Sequence, residues 1–161
     1  MNVNFSDQAL EELSQMFLFD EQDPTPFMNP ELARQLDFSI ESLLKVEAFL
    51  DSAHGRVANS QAFMVLTLRA GAYLGEVIRR NGGERLHWLA YDEASKLSKS
   101  VAESGQSLGN CAILWHSAKG EFSFPVGKVL KYVKNGAGDS IKFFAEVVIA
   151  RSREGGRPTE G

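Results

Sequence analysis

The chain has 161 residues, of which 43% are hydrophobic and 24% are charged, a composition that excludes global disorder and suits one globular domain. Its single cysteine, Cys111, excludes an internal disulfide, and no apolar run approaches the roughly 18 residues that span a bilayer. Residues 1–13 lack the pattern of a signal peptide. We therefore expect one soluble, cytoplasmic domain over residues 1–150, without a membrane role.

Charge is divided unevenly along the chain, although the net charge is only −4. Residues 1–51 contain 11 acids and 2 bases, whereas the rest contains 10 acids and 15 bases. Two interpretations stay open. The two parts can neutralise each other within one fold, or an acidic N-terminal surface can face a basic partner. The negative total argues against binding of nucleic acid by the whole domain.

The first predicted element is a helix over residues 7–18. Ser6 is placed as its N-cap, and the preceding Phe5 stands at the position of a hydrophobic staple. Residues 19–30 then contain three prolines, each of which disfavours helix in the residue before it. This pattern predicts a loop, and we expect the segment 1–30 to dock loosely.

Two further helices follow in the N-terminal half. Ser39 is predicted to cap a helix over 40–53, where apolar residues recur every three or four positions. The longest apolar stripe predicts a helix over 60–81, which glycines at positions 82 and 83 end.

The C-terminal half combines strands and helices. Alternation predicts strands over 86–91, 110–116 and 121–124, the last two joined by a turn with Gly120, and a helix is expected over 93–104. A short helix follows Pro125, Asp139 is predicted to cap a final helix, and residues 151–161 are expected to be a disordered tail. The order predicts an α+β fold, with helices packed on a small antiparallel sheet.

No catalytic or metal-binding signature stands out. Cys111 alternates with Ile113 and Trp115, which predicts a buried strand face rather than an activated thiol. Three scattered histidines and one cysteine have none of the spacings of a zinc site, and no phosphate-binding loop is present. We expect no catalytic residue, metal or cofactor.

The most distinctive residues lie on the long helix. Arg69, Tyr73, Glu76 and Arg80 recur at helical spacing beside the apolar stripe. Glu76 can simply pair with Arg80 in solvent. Alternatively, Arg69, Tyr73 and Glu76 form a binding groove with residues of the following strand, namely Trp88, Tyr91 and Asp92. A carboxylate among aromatic rings can recognise a cationic group.

Lysines at positions 128, 131 and 134 share one side of the short helix after Pro125. They can bind an anion or an acidic protein, or can simply be the solvated face of that helix. The helix carries only one aromatic residue between them, Tyr132, so RNA binding is not expected.

Two segments carry a resemblance to a known group. The helix reads G-A-Y-x-G-E at 71–76, and the later segment reads P-x-x-K-V-x-K-x-x-x-N-G-x-x-D-S at 125–140. With Trp88 between them, the chain resembles small bacterial domains of unknown function over residues 40–150. The resemblance implies a bacterial origin and includes suspected partners of toxins, but it carries no activity and no site residues.

These observations favour a non-catalytic binding or regulatory module that recognises another protein. In a specific version, an immunity-type protein blocks a basic toxin with its acidic surface. A competing hypothesis is a small enzyme or small-molecule binder with a pocket around Glu76, between the long helix and the sheet. A third is a subunit of a larger assembly, whose first helix docks on a neighbouring chain.

Overall fold

The computed structural model describes residues 6–56 and 60–154. The helices are α1 (Asp7–Leu18), α2 (Pro30–Gln35), α3 (Ser42–Ala53), α4 (Ser60–Gly82), α5 (Tyr91–Leu97), α6 (Lys99–Ser104), α7 (Pro125–Asn135) and α8 (Ile141–Glu154). The strands are β1 (Leu86–Ala90), β2 (Ala112–His116) and β3 (Glu121–Ser123), and short 3-10 turns cover Leu108–Asn110 and Gly136–Asp139. The predicted α+β class is confirmed.

Helix α4 is the centre of the fold. All residues from Arg69 to Ile78 are buried, because α1, α7 and α8 pack around the helix. A helix that is buried on every side needs small residues where its neighbours come closest. Gly71 and Gly75 supply them. A Cβ on Gly71 would lie 2.7 Å from the Cα of Val126 in α7, so a side chain at this position would force the two helices apart.

The three strands form one antiparallel sheet in the order β1-β2-β3. Trp88 pairs with Leu114, and Leu114 pairs with Ser123. Side chains alternate between the two faces of a strand. Trp88 and Leu114 therefore face the main core around α4, whereas Ile113 faces a second cluster against α5 and α6. Cys111 lies outside β2, at the end of a 3-10 turn, so its predicted place on the face of Ile113 is wrong.

Helix α1 is part of the main core. The hydroxyl of Ser6 caps it by accepting a hydrogen bond from the backbone of Ala9, as predicted, whereas Phe5 lies outside the described residues. Leu10 and Phe17 have no exposed surface, and the Phe17 ring lies 5.6 Å from that of Tyr73. The expected loose docking is therefore wrong, since α1 covers α4 of its own chain.

Three other local predictions need correction. Asn29 accepts a hydrogen bond from the backbone of Leu32 and begins α2, which the sequence analysis missed. The helix expected over 93–104 is two helices, because the hydroxyl of Ser98 caps a new one. Ser140, not Asp139, caps α8 by accepting a hydrogen bond from the backbone of Phe143.

Helix α8 also runs further than expected. Residues 151–154 belong to it, and the Ser152 hydroxyl donates to the carbonyl of Gly82 at 2.7 Å. The rest of the expected tail, residues 155–161, lies outside the described part of the chain. Among the helices in the described ranges, none combines the length and apolar character needed to cross a membrane.

Candidate functional site

The polar stripe on α4 is divided among different neighbours. Arg69, Tyr73 and Glu76 are buried, with at most 3% of their surface exposed. Arg80 lies at the surface, and its guanidinium stacks 3.6 Å from the ring centroid of Phe38. The expected pairing of Glu76 with Arg80 is wrong, because Glu76 pairs with Arg79 at 2.8 Å.

Arg69 holds the proline-containing loop after α1. Its guanidinium forms an ion pair with Asp20 at 2.9 Å and donates to the carbonyl of Asp23 at 2.7 Å and to the hydroxyl of Thr25 at 3.1 Å. Both Arg69 and Thr25 are buried. Arg69 therefore holds the loop against α4, with its guanidinium turned towards the loop rather than towards a ligand.

Tyr73 points in another direction, towards the start of α3. Its hydroxyl accepts a hydrogen bond from the backbone of Phe38 at 2.9 Å. The hydroxyl of Ser42 donates to the carbonyl of Ser39 at 2.6 Å, so Tyr73 donates to the oxygen of Ser42 at 2.7 Å. Burial raises the pKa of Tyr73. A neutral, fully bonded phenol in the core is a structural group.

Glu76 contacts Trp88, one of the residues that the sequence analysis grouped with it. The indole nitrogen donates to Oε2 of Glu76 at 2.9 Å, and Arg79 donates to the same oxygen. The ring of Trp88 lies directly on Gly75, where a Cβ would be 2.0 Å from Cζ2. The carboxylate is thus covered by the indole, which occupies the place where a groove was expected.

Asp7, which the sequence analysis did not select, completes this cluster. Its Oδ1 accepts a hydrogen bond from the backbone of Trp88 at 2.6 Å, and its Oδ2 lies 3.0 Å from Nδ1 of His87 and 3.1 Å from Arg79. No local signal could reveal it, because the partners are separated by about 70 to 80 positions. The cluster ties the start of α1 to α4 and β1.

Tyr91 and Asp92 lie apart from Glu76. Tyr91 packs with the second core cluster, and its hydroxyl donates to the carbonyl of Ala102 at 3.1 Å. Asp92 is exposed in the first turn of α5, where an acid is favourable to the helix dipole. The six residues selected from the sequence therefore do not assemble into one site.

An apolar groove opens between the end of α1, the following loop and α2. Because residues 7–37 form an arm along α4, the groove is here called the arm groove. Its volume is about 640 Å³, and its apolar walls are formed by Leu18, Phe19, Pro24, Met28, Pro30 and Ala33. Phe19 is 74% exposed at this groove. Glu21 and Arg34 also line it, and Glu31 lies next to Pro30 on the exposed side of α2.

Part of the acidic N-terminal charge is neutralised within the fold. Asp7 and Asp20 pair with Arg79 and Arg69, as described above. Glu47 accepts hydrogen bonds from the hydroxyl of Ser140 and the backbone of Lys142, and so caps α8. In the described ranges, six exposed acids of this segment form no ion pair: Glu11, Glu12, Glu21, Glu31, Asp37 and Asp51.

The lysine side of α7 is smaller than the sequence indicated. Lys128 pairs with Asp139 at 3.0 Å and also lies near the ring of Phe144. Lys131 and Lys134 are exposed. Two isolated cations make a weak anion site.

The reactive side chains also have structural surroundings. Burial raises the pKa of the Cys111 thiol, which opposes formation of the thiolate that a nucleophile requires. His116 is buried, and its Nδ1 accepts a hydrogen bond from the backbone of Lys119. Over residues 6–56 and 60–154, no three histidine, cysteine or acidic side chains are placed to hold a metal ion.

Comparison with known proteins adds no relative to this picture. No family model, no curated protein and no solved structure matches the chain, so its function has to be inferred from its own residues and geometry.

Proposed function

We propose that this protein is a non-catalytic binding module, and that its acidic arm, defined as residues 7–37, docks on a basic segment of another protein. The arm contains eight acids and a single base, Arg34. The observation that carries the proposal is Phe19, which is 74% exposed beside the apolar arm groove within this acidic surface. A large apolar side chain in such a place is typical of an interface.

The groove is suited to receive one apolar side chain or a short helical face. Most of its wall area is apolar, and its volume of about 640 Å³ exceeds that of any single side chain. Apolar anchors in pockets supply most of the binding energy at protein interfaces. The partner segment therefore carries an apolar anchor.

The acids around the groove define the flanks of that segment. Glu21 lines the groove and Glu31 stands beside it, while Glu11 and Glu12 extend the negative surface along α1. Lysine or arginine next to the apolar anchor complements these charges. Such complementarity speeds association and rejects acidic proteins. An immunity-type protein that captures a basic toxin fits this chemistry.

The arm is also held in place before binding. Arg69 binds Asp20, Asp23 and Thr25 from below, and the hydroxyl of Thr25 donates to the carbonyl of Met16. A surface that is already ordered loses less conformational entropy on association. This arrangement favours docking over folding upon binding.

The test compares two variants of equal net charge. One reverses Glu11, Glu12, Glu21 and Glu31 to lysine, and the control reverses exposed acids outside the arm: Glu84, Glu93, Glu103 and Glu154. Each is used to capture proteins from source cells, in parallel with the wild-type chain and with Phe19→Ser. The readout is the amount of each stoichiometric protein in the captured complexes.

The proposal expects a basic partner that the wild-type chain and the control retain, and that the arm variant and Phe19→Ser both lose. A partner bound equally by all four chains places the interface elsewhere. If only the control variant loses the partner, the interface also lies outside the arm. Circular dichroism of each variant verifies that the fold is kept.

A further inference from the structure

A second groove lies between the last turns of α3 and α7, on a surface that the acidic arm does not include. One end is an apolar pocket of about 410 Å³, with walls from Leu50, Ala53, Phe63, Leu66 and Val133. The other end is a polar recess of about 290 Å³. Leu50, His54 and Val133 line both pockets, so the two pockets adjoin and are here called the two ends of one groove. These volumes are in the range of small-molecule sites.

The polar recess is built around a fixed carboxylate. The hydroxyl of Tyr132 donates to Oδ1 of Asp51 at 2.9 Å. No cation within residues 6–56 and 60–154 forms an ion pair with Asp51. Burial, with the nearby charges of Asp51 and Glu47, raises the pKa of Tyr132. The phenol therefore stays protonated and keeps the carboxylate oriented.

The backbone adds negative charge at the same place. Helix α3 ends at Ala53, and α7 ends at Asn135, so the carbonyl ends of both helices border the recess. The carboxyl end of a helix carries a partial negative charge and favours a cation. Lys134 also borders the recess, but its side chain is exposed and forms no ion pair within the described part of the chain.

We propose that this groove binds an amphipathic primary amine, with its apolar body between Phe63 and Leu66 and its ammonium group on Asp51. The lining of the apolar end includes two polar residues, Ser60 and His54, but no carboxylate. At the polar end, Tyr132 holds the Asp51 carboxylate beside the two negative helix ends, and Lys134 is exposed. An amphipathic acid of the same chain length would place its negative head group beside the negative Asp51 and the negative carboxyl ends of α3 and α7. This site stands independently of the partner surface proposed for the arm.

The experiment is an amide NMR titration of the full chain with three probes of equal length: octylammonium, octanoate and octanol. Octylammonium is expected to give saturable shifts confined to residues 50–55, 63–66 and 132–136. Because Asp51 is exposed, the affinity of octylammonium should exceed that of octanoate by about two- to tenfold, the range expected when an exposed attraction between charges is replaced by a repulsion. Saturable binding of octanoate with equal or higher affinity overturns the proposal, as does an absence of saturable shifts.

Variants locate the head group. Asp51→Asn retains an acceptor for Tyr132 but removes the charge, and should weaken octylammonium binding about two- to fivefold while leaving octanol binding unchanged. Asp92→Asn, a change at an exposed acid on α5, is the matched control and should bind as the wild-type chain does. Unchanged binding by Asp51→Asn contradicts the assignment, and the spectrum of each variant shows whether it is folded.

Discussion

Gly75 and Trp88 lie in direct contact, because a Cβ built on Gly75 would come 2.0 Å from Cζ2 of the indole. This contact allows the strand β1 to lie close enough to α4 for the indole nitrogen to reach Glu76. A helix of ordinary residues would push the ring outwards. The glycine thus determines where the sheet sits on the central helix.

Substitution of Gly75 by alanine should therefore destabilise the protein. Overpacking of a filled core costs about 1–3 kcal/mol, which outweighs the gain of up to about 1 kcal/mol in helix propensity. The free energy of unfolding in urea measures the effect. Gly138→Ala is the control, because a Cβ there meets nothing within 4 Å. Equal stability of both variants would mean that the indole moves aside at no cost.

Arg69→Leu should be among the most destabilising single changes. It leaves Asp20, whose side chain is 17% exposed, without its cation, and leaves the hydroxyl of Thr25 without a donor. Breaking a buried ion pair on one side costs about 3–5 kcal/mol. Lys99→Leu, at an exposed pair with Glu103, should change stability by less than about 1 kcal/mol. Urea unfolding compares the two variants. Similar losses of unfolding free energy would contradict the conclusion that Arg69 holds the loop after α1.

The contact of Glu76 with Trp88 can be tested by two substitutions. Glu76→Gln keeps an oxygen that accepts the indole hydrogen bond, whereas Glu76→Leu leaves Trp88 with an unsatisfied donor in the core. Leucine should therefore cost about 1–3 kcal/mol more than glutamine. A double-mutant cycle with Trp88→Phe should give a coupling energy of about 0.5–3 kcal/mol. A coupling energy of zero would show that the hydrogen bond contributes nothing.

Stability should fall in alkaline solution because of two tyrosines. Burial is the main cause that raises the pKa of Tyr73 and of Tyr132 above the ordinary value. A group with a raised folded pKa stabilises the protein below its unfolded pKa, about 10 for tyrosine, and loses that contribution as pH rises further. Unfolding free energies measured from pH 8 to 11 should therefore begin to decline only as the pH approaches and passes about 10. Tyr132→Phe should flatten this decline, and an unchanged slope would exclude Tyr132 as a cause.

Cys111 should react slowly in the native state. Burial raises the pKa of its thiol, so little thiolate is present near neutral pH. Alkylation by iodoacetamide at pH 8, followed by intact mass, should be at least about tenfold slower in buffer than in urea. The unfolded chain is its own control. Equal rates would indicate that the thiol is freely accessible.

The local parts of the fold were predictable because their signals lie within a few residues. Ser6 and the apolar repeat of α1 lie in one short segment, as do Pro125 and the glycine that ends α7. The long helix and the antiparallel hairpin were predicted for the same reason. By contrast, α2 and the break at Ser98 depend on single capping side chains between weak patterns.

The candidate site was less predictable, since helical spacing does not tell which neighbour covers a position. Glu76 and Trp88 were grouped correctly because a short turn joins α4 to β1. Tyr91 was grouped with them wrongly, because α5 carries it to the second core cluster.

By itself, the sequence determined the α+β class, the main helices and strands, and the acidic character of the N-terminal arm, all of which depend on composition and short-range periodicity. Only the tertiary structure decided that Asp7 reaches Trp88 across 81 positions and that Asp20 reaches Arg69 across 49. It also decided which acids are neutralised and which remain exposed beside Phe19. These facts follow from how α1 lies against α4, and that packing is selected by the whole core rather than by any local pattern.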